Sequence, residues 1–361
     1  MVISPQVQQV DVKHAQRPLS TTARAPIARY RFTATLQHPL ALPDYAGSLL
    51  RGQFGAALRQ ITCMTRQPTC HGCPLLQTCP YTRIFEAPPP PKGQHTLQNF
   101  SQIPNPYVME PPAPGARVLA AGDALVFSLV LVGHALEQLA LIVCALQRAL
   151  AQGLTRERVP AELMRVDCVG ADGAATAIWT SEQPALVEHS TALNLPAMPQ
   201  GQQAITLDIH TPMRLQHQGQ PLGVAQLSPR ALVSALARRG ALLMEFHASE
   251  AYKTHFDWGQ AARDAAHASA RLSDERDLWW FDWMRYSSRQ KQEMMLGGVL
   301  GQWRLHGDAD DLANVWPWLW LGQWLHAGKN ATMGMGGYSL LPQSPDLQSP
   351  HENSEKYDHC H

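Results

Sequence analysis

The chain has 361 residues, 45% of them hydrophobic and 16% charged, with 29 Lys and Arg against 29 Asp and Glu. This composition excludes a disordered polyampholyte and supplies apolar material for one large domain or two of ordinary size. A net charge of zero argues on its face against a nucleic-acid binder. The zero is a sum of opposites, however. Residues 1–92 hold 10 basic and 3 acidic side chains and residues 93–200 hold 5 and 9, while residues 201–342 hold 13 of each and 343–361 hold 1 and 4.

The first twenty residues contain no apolar run of signal-peptide length, so no secretion signal is expected, and residues 1–27 read as a flexible segment. Ala28–Gln37 alternates as a strand. Tyr45–Ile61 follows as a helix with Leu49, Leu50, Phe54, Leu58 and Ile61 on one stripe. Ala87–Gly115 is rich in proline, including Pro88–Pro91, and is expected to hold neither helix nor sheet interior. The most apolar run, Ala124 to Leu150, carries His134, Glu137 and Gln138 near its middle, a poor fit to a membrane span. It reads instead as a strand, Ala124–Val132, and an amphipathic helix, Ala135–Ala151. Two strands follow, Leu163–Val169 and Ala175–Thr180. The order β-α-β-α-β-β is close to a ferredoxin-like domain with one strand misplaced or missed, occupying residues 28–197 with an insert at 62–115.

A second unit, residues 198–342, starts after the connector Pro196–Gln203. Ala204–His210 is a strand, and Pro229–Phe246 is a helix opened by Ser228 as N-cap and Pro229 at its first position. Leu278–Ser287 and Met294–Leu305 are strands, Asp308–His326 is a helix kinked or restarted at Pro317, and Tyr338–Leu341 closes the unit. That is β-α-β-β-α-β, the order that also underlies RNA-recognition modules. Nine of the ten tryptophans lie between Trp258 and Trp324, a composition shift that supports a boundary near residue 200. Trp316, Trp320 and Trp324 share a helical face and are expected in the core, with Phe281 and Trp283 packing inward from their strand. The fold class is therefore α+β, two tandem ferredoxin-like units, and the tail 343–361 reads as disordered.

Cys63, Cys70, Cys73 and Cys79 are spaced C-x6-C-x2-C-x5-C. A thiolate pair two residues apart can point both sulfurs at one ion, and two flanking cysteines complete a tetrahedral set. Four clustered cysteines in a chain without a secretion signal suggest ligand chemistry in a reducing cytoplasm rather than disulfides. Structural zinc is the expected occupant, with an iron–sulfur cluster as the alternative. Cys144 and Cys168 read as core residues.

From His326 to Tyr338 runs a glycine-rich turn, in which Gly328, Gly334, Gly336 and Gly337 would let backbone amides approach an anion and Lys329 adds a charge. It is not a P-loop, because the Gly-Lys-Ser/Thr order is absent and no helix follows. Arg285, Tyr286, Arg289, Gln290 and Lys291 cluster where a strand ends, a set suited to phosphates and a stacked base.

Taken in order, these pieces resemble the CRISPR-associated endoribonucleases that process repeat RNA, members of the RAMP superfamily. The resemblance covers most of residues 28–341. It rests on Leu50-Arg-Gly-Gln-Phe-Gly55, the cysteine group with Cys79-Pro-Tyr and Ile84-Phe-Glu86, Leu129–Gly133, Thr211-Pro-Met-Arg-Leu215 and Arg238-Arg239. It continues through Arg285–Gln290, Leu321–Lys329 and Thr332–Tyr338. It implies two ferredoxin-like domains and metal-independent cleavage of a repeat transcript, leaving a 2′,3′-cyclic phosphate and a 5′-hydroxyl, with no cofactor required for catalysis. Many members carry a catalytic histidine in the first helix. Tyr45–Ile61 has none. His326 is the best replacement, with His38 and Tyr45 next, and Lys329, Arg285 and Tyr286 are candidates to stabilise the phosphate. Arg51 joins the loop glycines and the Arg285–Lys291 cluster as a candidate RNA contact. The implied partners are repeat RNA and CRISPR effector subunits, with no membrane; the alternative reading is a non-catalytic subunit that holds guide RNA.

Overall fold

A computed structural model describes residues 23–91, 93, 103–287 and 292–342. The first strand, β1 (Ile27–Leu36), alternates buried Tyr30, Phe32 and Ala34 with half-exposed Arg29, Arg31 and Thr33, as a sheet with one covered face requires. Helix α1 (Gly47–Thr62) buries Leu50, Phe54 and Leu58, and a short α2 (Pro80–Phe85) follows the cysteine segment. Next come β2 (Tyr107–Glu110), β3 (Ala124–Val132), α3 (Leu139–Gln152), β4 (Ala161–Val169) and β5 (Ala175–Thr180). A 3₁₀ turn, Gly133–Gln138, replaces the first turns of the helix expected from Ala135.

The strands form one antiparallel sheet in the order β2-β3-β1-β4-β5. The first four follow ferredoxin-like topology and β5 is an added edge strand. The strand missed from the sequence is β2. It lies inside the proline-rich stretch that was expected to exclude sheet, between Pro106 and Pro111. Four residues on an edge can pair with one neighbour, and the flanking prolines fall outside the ladder.

The second unit comprises β6 (Ala204–Met213), α4 (Pro229–His247), α5 (Trp258–Ala268), β7 (Ser273–Ser287), β8 (Gln292–His306), α6 (Ala309–Leu325) and β9 (Tyr338–Leu341). Its sheet order, β7-β8-β6-β9, is again ferredoxin-like. Ser228 caps α4 by accepting from the Ala231 amide at 3.2 Å. Helix α6 is continuous through Pro317 rather than restarted there. Trp316, Trp320 and Trp324 are buried, as their helical face predicts.

The two units share their core. Val108, Val130 and Val132 of the first pack into the apolar cluster of the second, and a small third cluster of Tyr45, Trp283, Leu296, Met333 and Met335 lies at the junction. Arg24–Ala25, within the segment expected to be flexible, pairs with Leu193–Asn194. Cys144 is exposed on α3 rather than in the core, whereas Cys168 packs against it. No helix among the described residues is long and apolar enough to cross a membrane. The tail 343–361 lies outside the described residues.

Candidate nucleic-acid interface

Helix α6 ends at Leu325, and the φ of 58° at His326 turns the chain sharply into the glycine loop. The loop is stitched to the end of β6 by backbone bonds. Lys329 N–H donates to Arg214 O at 2.8 Å, Gly336 N–H to Pro212 O at 3.0 Å, and the amides of His210 and Thr211 donate to Gly337 O at 3.1 and 3.2 Å. Thr211 Oγ1 donates to Gly334 O and accepts from Gly337 N–H, both at 2.7 Å.

These bonds change the role of the glycines. The amides of Gly334, Gly336 and Gly337 already donate within the protein, so they are not free to cradle an anion. What needs glycine is close packing: a Cβ on Gly336 would lie 1.9 Å from Ala327 O, and on Gly328 2.4 Å from Arg214 O. Both have positive φ. Lys329 is exposed beside this rigid turn.

Two side chains of the first unit reach the loop. Tyr45 is 1% exposed, donates to Met333 O at 2.9 Å and packs its ring 4.8 Å from that of Trp283; burial raises its hydroxyl well above the ordinary tyrosine range. Glu110, the last residue of β2, lies with its Oε1 2.9 Å from Arg29 Nη2 and 3.1 Å from His326 Nε2. Arg29 also donates to Gln323 O at 2.6 Å and lies over the Trp324 ring. Burial works to raise the Glu110 carboxyl, but Arg29 and His326 outweigh it and hold it below its usual range. His326 itself is 1% exposed, and its Nδ1 lies 3.0 Å from Gly334 O.

The Arg29–Glu110–His326 group lines a cleft of about 510 Å³ between the units, together with Ser128, His210, Gln323 and Ser339. Desolvation of the His210 ring in this cleft, with His326 nearby, lowers its pKa. Arg51 sits over the Phe85 ring at 4.3 Å, and its Nε is buried with no hydrogen-bond partner. Beside it the buried Tyr107 hydroxyl is pushed up to about 12.

The structure thus gathers Tyr45, His326, Lys329 and the four glycines at one junction. His38 is exposed on the turn after β1. Arg285 and Tyr286 fall on β7, while Arg289, Gln290 and Lys291 lie outside the described residues. Sequence reasoning missed Arg29, Glu110 and His210. Glu110 ends the apolar run Tyr107–Met109 between prolines, the one local signal of its strand.

The four cysteines line one cavity of about 10 Å³ between α1 and α2. Among the described residues, however, no group of three or more His, Cys, Asp or Glu side chains could hold a metal ion. The expected zinc or iron–sulfur centre is therefore not supported. The Thr65 hydroxyl stands between two of the sulfurs, 3.9 Å from Cys63 Sγ and 3.6 Å from Cys73 Sγ. The four thiols thus share one cavity without support for a ligand set.

Two ferredoxin-like units therefore meet through a C-terminal glycine loop. Residues 207–338 match the family model of the CRISPR-associated endoribonuclease Cas6, and residues 25–191 match a model described as an N-terminal domain. The C-terminal unit is thus similar to the family of CRISPR-associated endoribonucleases that the motifs of the sequence resemble. A Cas6 solved as a product complex is 17% identical with a TM-score of 0.54, over 87% of this chain and 99% of that one. Thermus thermophilus Cas6 is 14% identical with a TM-score of 0.49, over 88% and 99%. The first likeness shows a shared fold. No curated protein sequence matches the chain.

Proposed function

We propose that this protein cleaves CRISPR repeat transcripts in the cytoplasm without a catalytic metal, the 2′-hydroxyl attacking the adjacent phosphate to leave a 2′,3′-cyclic phosphate and a 5′-hydroxyl. The observation that carries this reading is the glycine loop of a Cas6-type unit, fixed against α1 by the Tyr45–Met333 bond, with Lys329 exposed at its rim. Such a loop can hold a cation at a set position against the developing charge on phosphorus. Lys329, with Arg285 and Tyr286 from β7, is assigned to the phosphate, and Arg51, Arg289, Gln290 and Lys291 to the RNA strand.

The proton carrier is better assigned to His38 than to His326. A general base must reach the substrate hydroxyl within hydrogen-bond distance. His38 is exposed, whereas His326 is buried with both ring nitrogens engaged and Tyr45 is buried with its hydroxyl donated. Burial of these last two also favours a second reading, a subunit that holds guide RNA within a CRISPR effector complex without cutting it. Incubating the protein with its repeat RNA in chelator and mapping the product ends separates the two. Cyclic-phosphate ends support the enzyme; intact RNA under every condition leaves only the binding role.

A further inference from the structure

Gly334 O accepts from His326 Nδ1 at 3.0 Å and from the Thr211 hydroxyl at 2.7 Å, and Thr211 Oγ1 in turn accepts from Gly337 N–H at 2.7 Å. The outer end of this chain is Glu110, 216 residues before His326 in sequence and in the other unit. Every member is buried or half-buried. A carbonyl and a carboxylate both accept, so each His326 ring nitrogen faces an acceptor, one from each unit.

We infer that Glu110 is a positioning residue for the glycine loop, acting through His326, so that the N-terminal sheet sets the shape of the C-terminal RNA-facing turn. The inference rests on the RNA-binding reading above for its functional consequence, though not for its structural one. Arg29 keeps Glu110 oriented by holding the same oxygen and anchoring to Gln323 O. The charged or titratable groups facing His326 are Glu110 and Arg29 from the first sheet and His210 from β6.

Electrostatics alone and positioning predict opposite signs. Removing a carboxylate from a surface that meets RNA should tighten binding if charge were all that mattered. Positioning predicts that Glu110→Ala weakens binding of the host's repeat RNA about tenfold or more, with the salt slope unchanged because no phosphate contact is lost. Glu110→Gln keeps an oxygen acceptor for His326 without the charge. It should recover most of the affinity.

Amide hydrogen exchange of the free protein is measured in parallel. The Gly334 and Gly337 amides should exchange faster in Glu110→Ala, while those of β1 and β3 stay protected. Affinity equal to or tighter than wild type together with unchanged loop exchange would overturn the inference. Faster loop exchange in a protein whose wild type binds no repeat RNA would keep the positioning role and discard the RNA reading. Uniformly faster exchange would mean that Glu110 serves general stability, and would equally overturn it.

Discussion

Tyr45, two residues before α1, donates its hydroxyl to the carbonyl of Met333, 288 residues further along the chain. With Gly47, whose Cβ would lie 1.9 Å from the same oxygen, it seats the glycine loop directly on the first helix. Tyr45→Phe removes one buried bond and leaves Met333 O without its partner, a cost of about 1–3 kcal/mol. Cleavage of repeat RNA should fall only a few-fold if Tyr45 holds the loop, against ~10²-fold for loss of a proton carrier. Single-turnover rates for Tyr45→Phe beside His38→Ala make the comparison, and the larger loss should belong to His38.

The loop glycines answer to packing. Gly336→Ala places a methyl against Ala327 O at a φ of 77° and should destabilise the protein by about 3 kcal/mol. Gly52, exposed in α1 with nothing within 4 Å of its would-be Cβ, gives the opposite sign. Gly52→Ala should stabilise by about 1 kcal/mol through helix propensity. Denaturant midpoints of the two variants test the contrast; equal shifts would remove the packing explanation.

A second junction between the units predicts acid sensitivity. His247 Nε2 lies 2.7 Å from Pro104 O, which can only accept, so Nε2 carries the proton and Nδ1 accepts from His134 Nε2–H at 2.9 Å. Burial, with Arg83 nearby, lowers His247 to about 3 and His134 to about 4, below the ordinary value of about 6.5. Both are therefore neutral in the fold and take up protons on unfolding. Their contribution is complete above about pH 6.5 and is lost as the pH falls towards 4. Tm should drop over that window, and His134→Ala should flatten the drop while lowering Tm at neutral pH. A profile of unchanged steepness in the variant would assign the acid loss to other groups.

Lys329 stands exposed at the rim of the loop. If it meets a phosphate, Lys329→Ala should weaken repeat-RNA binding and reduce the slope of log affinity against log salt by about 1. A weaker complex with the original slope would place Lys329 away from the RNA backbone.

Local pattern was enough for most of the elements. The strands Ala124–Val132, Ala175–Thr180 and Tyr338–Leu341 fall where the sequence places them, and the capped helix after Ser228 ends within one residue of its expected end. Periodicity and capping act within a few residues and can be read there. The glycine loop was also legible as a special segment, but not what its glycines are for, because the Pro212 and Arg214 carbonyls that meet it come from the end of β6, more than a hundred residues earlier. Only tertiary structure made a strand of Tyr107–Glu110, since four residues between prolines gain their pairing from β3 rather than from their own propensity. The same docking joined Glu110 to His326 and turned a candidate proton carrier into a buried link. The cysteine spacing permitted a metal site, but the arrangement of the four thiols in the fold gives that site no support. Spacing limits which groups can meet, while the partner each buried polar atom finds depends on side chains brought in from distant segments.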